Sequence, residues 1–305
     1  MNLTALFFSV SCSNQTPNTA FIAPIQVIAT SNPPSLTVTP TFTPTFTFTP
    51  TTVPYSTPIS GLNSPYALAI DSKNNVYIGD TGNNLIKQFV NGVQNTAWPS
   101  GKVKSNGLAY PTPKAIAVDS SGNLYVVGNG NGVSKYNPNG DFITLYTANM
   151  SGPLGVAVNG NPATILYVSD SGNDRIISIP LPGGASSVFE ASLGFTPYGL
   201  AVDSIGNLYV AGSNDQVHIY PSTGGAGTAV SGFNTPYAVA LDANNDLFVS
   251  DTKNGQIEEF LAGNYSGPIA TIGLGTLANP EGIALDSSAN VYAVDSVNNE
   301  LFQFP

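Results

Sequence analysis

Apolar and polar positions in this chain follow one unit that recurs six times. Each copy has a proline, a short run of small apolar residues ending at an acid or amide, a Gly/Asn turn, and a second apolar run centred on an aromatic. The first runs are Pro65-Tyr-Ala-Leu-Ala-Ile-Asp71, Pro113-Lys-Ala-Ile-Ala-Val-Asp119 and Pro153-Leu-Gly-Val-Ala-Val-Asn159, then Pro197-Tyr-Gly-Leu-Ala-Val-Asp203, Pro236-Tyr-Ala-Val-Ala-Leu-Asp242 and Pro280-Glu-Gly-Ile-Ala-Leu-Asp286. The aromatic centres Tyr77, Tyr125, Tyr167, Tyr209, Phe248 and Tyr292 lie 48, 42, 42, 39 and 44 residues apart. A period near about 40 residues marks a stacked or radial array, because one such unit cannot bury its own apolar face.

The fourth copy shows the elements clearly. Gly199–Val202 is short and small, as an innermost strand crowded at an axis must be. Asp203 to Asn207 forms a hairpin turn, with Gly206 and Asn207 tolerant of positive φ. Leu208–Ala211 is a second strand, and Val217–Tyr220 a third after a polar turn. Four short antiparallel strands per unit predict an all-β, six-bladed β-propeller. The copies span about 61–106, 107–148, 149–193, 194–231, 232–274 and 275–305.

The string Pro-x-Gly-Ile-Ala-Val-Asp…Gly-Asn-Leu-Tyr-Val-x-Asp resembles the NHL-repeat signature, most closely at 113–126 and 197–210 and across about 61–305 in all six copies. The resemblance implies a six-bladed propeller, a fold that hosts binding modules and enzymes alike. NHL copies often carry Arg before the third-strand Ile. Here only Arg175 does, with Leu85, Gln256 and Glu300 at other copies.

Charged residues make up 9 % of the chain, against a norm of about 25 %. A net charge of −10 with eight Lys plus Arg leaves no material for the basic patch that nucleic-acid binding needs. No apolar stretch reaches transmembrane length. The single cysteine, Cys12, follows the apolar run 3–10 and the small residues Ser9-Val10-Ser11. This resembles a lipoprotein lipobox, implying lipidation of Cys12, although Ser9 replaces the expected Leu and no Lys or Arg precedes the run. An ordinary buried thiol is the plainer alternative.

Residues 1–70 carry no charged side chain, and 31–58 are a Thr/Pro tract. Frequent proline excludes helix and favours an extended spacer of the O-glycosylated type. The sixth copy ends after its third strand, so a segment from elsewhere is expected to supply its outer strand. Residues 44–60 alternate Thr with Phe in part and stand just upstream of the first copy, so they are expected to close the ring, with 1–43 as leader and stalk. The same tract, 31–59, could instead add a strand to a neighbouring copy and build fibres.

Asp80, Asp170, Asp251 and Asp295 close the second strands and look like a ligand set. Blades with Asp have the next aliphatic anchor six residues on, and blades with Gly128 or Gly212 five on. Asp thus travels with turn length, so it is expected to cap the backbone of the longer turn rather than bind metal, with weak Ca²⁺ binding as the alternative. Asp71, Asp119, Asp203, Asp242 and Asp286 read as turn residues as well. His218, the only histidine, falls on a third strand without convergent partners. Lactonase-type hydrolases of this fold hold a divalent cation in an acid/amide cage, which here would have to centre on Glu281.

Residues following the blade prolines ring one channel mouth: Tyr66, Lys114, Leu154, Tyr198, Tyr237 and Glu281. Tyr66, Lys114, Tyr198, Tyr237 and Glu281, among Asn/Ser/Gly turns, are the candidate binding face. The expected function is therefore non-catalytic recognition or scaffolding of a protein, peptide or glycan at the cell surface or outside the cell. A fibre-forming structural subunit and a lactonase-like hydrolase or lyase are the alternatives.

Overall fold

The computed structural model describes residues 58–99, 107–160 and 163–305. The chain divides into two units, Met1–Phe46 and Thr47–Pro305, and every described residue belongs to the second. Cys12 and most of the 31–59 tract lie outside the described residues.

Six antiparallel sheets are arranged as the blades of a propeller. The innermost strands are Ala67–Ile70, Ala115–Val118, Gly155–Asn159, Pro197–Val202, Pro236–Leu241 and Pro280–Leu285. Each contacts the innermost strands of the blades on either side, and the strand of blade six returns to that of blade one, so the ring is closed. The second strands are Val76–Asp80, Leu124–Val127, Ile165–Asp170, Leu208–Gly212, Leu247–Asp251 and Val291–Asp295. Third strands follow at Leu85–Val90, Gly132–Tyr136, Arg175–Pro180, Gln216–Tyr220, Gln256–Phe260 and Glu300–Phe304. Blades two to five end in outer strands Phe142–Thr147, Ser187–Glu190, Thr228–Ser231 and Ala270–Ile272. Blade one has two short outer pieces, Val93–Gln94 and Leu108–Ala109, both paired to its third strand.

The core consists of six apolar slabs, one between each pair of neighbouring blades. Successive side chains of a strand point to opposite faces. On the second strand of blade one, Tyr77 therefore joins the slab shared with blade two, while Val76 and Ile78 join the slab shared with blade six. Burial on both faces explains why these strands are apolar without alternation. Tyr77, Tyr125, Tyr167, Tyr209 and Phe248 are all buried; Tyr292 is half-buried.

The inner hairpins show what the repeated acid does. Asp71 Oδ1 accepts the backbone N–H groups of Lys73 and Asn75, and its Oδ2 accepts the Asn75 amide and the Tyr77 hydroxyl. Asp119 and Asp286 repeat all four bonds. Asp, the Asn four residues on and the Tyr six residues on thus form one unit that ties the turn to the core. In blade five, where those positions are Asp246 and Phe248, Asp242 draws its amide bond from Asn244 instead.

Ile59 forms an antiparallel bridge with Leu301 on the third strand of blade six, with N···O distances of 3.0 and 2.9 Å. Leu301 corresponds to Ile86, Val133, Val217 and Ile257, which pair with the outer residues Leu108, Tyr146, Val230 and Ile272. Ile59 therefore stands in outer-strand register on the last blade. The remainder of the expected closing strand, 44–57, lies outside the described residues.

Candidate functional site

The first residue of each inner strand and the turn between second and third strands come together at one end of the ring. Tyr66 N–H donates to Gly79 O, and the 3₁₀ turns Thr81–Asn83, Ser171–Asn173 and Thr252–Asn254 follow the ends of second strands.

The acids at those ends act differently from expectation. Asp80, Asp170 and Asp251 do not cap their own turns. Their Oδ1 atoms accept N–H groups of the loop leading into the inner strand, from Asn63 (2.7 Å), Ser151 (2.6 Å) and Asn234 (2.7 Å). Their Oδ2 atoms accept the amides of Asn83, Asn173 and Asn254. Each carboxylate thus couples two loops that are far apart in sequence. Of these four acids only Asp295 also accepts backbone N–H groups of its own turn, from Val297 and Asn298. Asp80 additionally forms an ion pair at 2.6 Å with Lys87, whose Nζ donates to Gly61 O as well. Arg175 pairs with Asp170 at 2.6 Å. Among the described residues no group of three or more His, Cys, Asp or Glu converges as a metal centre.

The hydroxyl after the acid clips blades together. Thr81 Oγ1, Ser171 Oγ and Thr252 Oγ1 donate at 2.6–2.7 Å to the carbonyls of Pro113, Pro197 and Pro280 on the following blades. In blade six the equivalent Ser296 bonds instead to Glu281 Oε1.

Over the channel mouth the expected residues meet. Lys114 Nζ lies 3.9 Å from the centroid of the Tyr66 ring. Tyr66 meets Tyr237 edge to face at 5.7 Å, and Tyr237 stacks on Tyr198 at 5.2 Å. This chain of contacts runs from blade two to blade four. Blades one and five are not neighbours, so the Tyr66–Tyr237 contact crosses the position of blade six. Glu281, on that intervening blade, is left only 4 % exposed. It is thus a buried group of the mouth, whereas Tyr66, Lys114, Leu154, Tyr198 and Tyr237 are half-buried. A cavity of about 70 Å³ beside Tyr66, Lys114, Leu154 and Tyr237 opens at this end.

Burial pushes the Glu281 carboxyl up from 4.5 to about 7; hydrogen bonds from Ser296 and Asn279 and the charges of Lys253 and Lys114 hold it back. Burial also raises Tyr66 and Tyr237, with Glu281 adding to both, and lowers Lys114. Lys253, Asn279 and Ser296 are members of this group that reading the sequence alone does not single out.

At the three tyrosine positions the backbone packs against a glycine of the preceding blade. A Cβ added to Gly155, Gly199 or Gly282 would lie 2.1, 2.7 or 2.5 Å from the backbone oxygen of Tyr198, Tyr237 or Tyr66, each on the next blade. Where Ala stands at that place (Ala67, Ala115, Ala238), the next blade carries Lys114, Leu154 or Glu281. Gly in one copy and Tyr in the next therefore travel together around the whole ring. That signal is present in the sequence and becomes readable once neighbouring copies are compared. Gly282→Ala is expected to destabilise by about 1–3 kcal/mol, since the obstructing atom is backbone and no rotamer relieves it. An unchanged melting temperature would show that the slot is not needed.

His218 lies on the third strand of blade four, stacked on Phe195 at 4.3 Å and bonded to the Asn214 amide through Nε2. It does not join the mouth.

A family model described as a beta-propeller repeat matches residues 106–133. No curated protein matches the sequence. Among solved structures, a streptogramin B lyase is 15 % identical with a TM-score of 0.60, covering 82 % of this chain and 96 % of that one. The nidogen/laminin complex gives 18 % and 0.61, covering 72 % and 84 %. A catalytically inactive histidine-to-alanine variant of virginiamycin B lyase from Staphylococcus aureus, with quinupristin, gives 16 % and 0.57, covering 82 % and 99 %. The chain is a six-bladed β-propeller. At these identities the likeness extends to the fold and no further.

Proposed function

We propose that this propeller is a non-catalytic recognition module of the cell surface or extracellular space, binding through the tyrosine-bearing mouth. The observation that carries the reading is the contact chain Lys114–Tyr66–Tyr237–Tyr198, held half-exposed across the ring. Rings fixed by their neighbours offer contact area at low entropic cost, and the surrounding Asn/Ser/Gly turns adapt. The mouth cavity of about 70 Å³ is well below the roughly 300–1,000 Å³ of small-molecule sites, which favours surface recognition over turnover of a swallowed substrate. Two lysines face Glu281, which weighs against a cation cage centred on it. The one histidine is stacked on a third strand rather than set at the channel, unlike what a lyase dependent on histidine would need. The NHL resemblance rests most closely on copies two and four, with Gly122-Asn-Leu-Tyr-Val126 and Pro197-Tyr-Gly-Leu-Ala-Val-Asp203, and a lipidated Cys12 with the Thr/Pro tract would serve as tether and stalk.

Peptide and glycan arrays probed with the full-length protein test this. Tyr66→Ala combined with Tyr198→Ala is expected to weaken every retained partner by at least about tenfold while the fold persists. Retention unaffected by the pair would rule the mouth out.

A further inference from the structure

Lys114 is in an unusual position. Its ammonium is half-buried over the Tyr66 ring and, among the described residues, takes no hydrogen-bond acceptor; the charge that bears on it is that of the buried Glu281. The side chain, with its three strong donors, lines a small cavity together with Tyr66, Leu154, Tyr237 and aliphatic residues of the inner strands. An ammonium partly stripped of water favours an anionic partner, and about 70 Å³ admits a carboxylate-sized group but not a whole ring. Around the cavity the mouth presents tyrosine faces and exposed amides such as Asn63, Asn173 and Asn254. Aromatic faces stack on the C–H faces of sugar rings, and side-chain amides bond vicinal hydroxyls.

We propose that the mouth binds a uronic-acid-bearing glycan, with the sugar carboxylate seated on Lys114 and a proton taken up by Glu281 as it binds. The inference rests on the recognition reading above. An ionised Glu281 offsets part of the Lys114 charge and repels the incoming anion. The groups facing Glu281 are Tyr66 from blade one, Lys114 from blade two, Tyr237 and Lys253 from blade five, and the neutral Asn279 and Ser296 of its own blade. With its carboxyl near neutrality, Glu281 is mostly neutral at pH 6 and mostly ionised at pH 8, while a uronate stays ionised throughout. The linked proton therefore makes binding about tenfold tighter at pH 6.

Calorimetry on the full-length protein with tri-galacturonate, its methyl ester and tri-glutamate tests this. Tri-galacturonate is expected to bind about tenfold more tightly at pH 6 than at pH 8, with proton uptake seen by comparing buffers of different ionisation enthalpy. The ester should bind at least about tenfold more weakly than the acid. Lys114→Gln should remove the preference for acid over ester, its fold checked by melting. Glu281→Gln should bind equally at both pH values. No binding of tri-galacturonate, equal binding of acid and ester, a preference that survives Lys114→Gln, or equally tight tri-glutamate each overturns the proposal. If array partners still depend on Tyr66 and Tyr198 in that event, the recognition reading stands and only the ligand class falls.

Discussion

Asp80→Ala is expected to be the most damaging single substitution at the ring's mouth, lowering stability by about 3–5 kcal/mol. The carboxylate is wholly buried, and its loss strands three donors: Asn63 N–H, the Asn83 amide and Lys87 Nζ. Lys87 is only 8 % exposed, so its ammonium cannot turn to solvent and keeps a single bond, to Gly61 O. Removing one partner of a buried pair costs far more than the pair contributes, because the remaining charge is uncompensated. Asp251→Ala removes equivalent loop bonds but strands no cation, and is expected to cost less. Asp170→Ala falls between, since the Arg175 side chain is 26 % exposed and reaches water. Adding Lys87→Met to Asp80→Ala should return part of the loss. Melting temperatures report the order; an Asp80→Ala protein no less stable than Asp251→Ala would sink the argument.

Glu281→Gln should act in the opposite direction, and only above acidic pH. Burial raises this carboxyl from 4.5 to about 7, so between those values the folded protein holds a proton that the unfolded chain has released. Stability from this group accordingly falls as pH rises from about 4.5 to 7, and the penalty is complete above 7. Such a displacement corresponds to on the order of 3 kcal/mol. Glutamine keeps an acceptor for Asn279 and Ser296 and never ionises. The variant should match the parent near pH 4.5 and exceed it by that order at pH 8. Denaturant midpoints at the two pH values decide it: an equal difference at both would show that Glu281 does not titrate in this window.

Turn chemistry was legible because it is local. The Asp, Asn and Tyr of each inner hairpin lie within seven residues, and their bonds follow from that spacing. Position at the mouth was legible too, since equivalent residues of a radial repeat share one radius and one face. The role of Asp80, Asp170 and Asp251 was not. Their changing turn length suggests a local cap, yet their partners lie in loops seventeen to nineteen residues upstream, brought alongside by the pairing of first and second strands. Burial of Glu281 was equally hidden, because the groups that influence it include Tyr66 and Tyr237 on the two flanking blades, far away in sequence.

The six-bladed ring, the strand order within a blade and the positions that face the mouth all follow from the repeat. A unit repeated at about 40 residues, with both faces of its second strand apolar, is buried only by flanking copies of itself. What depends on neighbours across blades is set by ring closure: the close approach of Gly155, Gly199 and Gly282 to the backbone of the next blade, the clips from Thr81, Ser171 and Thr252, and the burial of Glu281. The physical reason is distance. These contacts join residues that only ring closure brings within van der Waals or hydrogen-bond reach, so spacing along the chain carries little record of them.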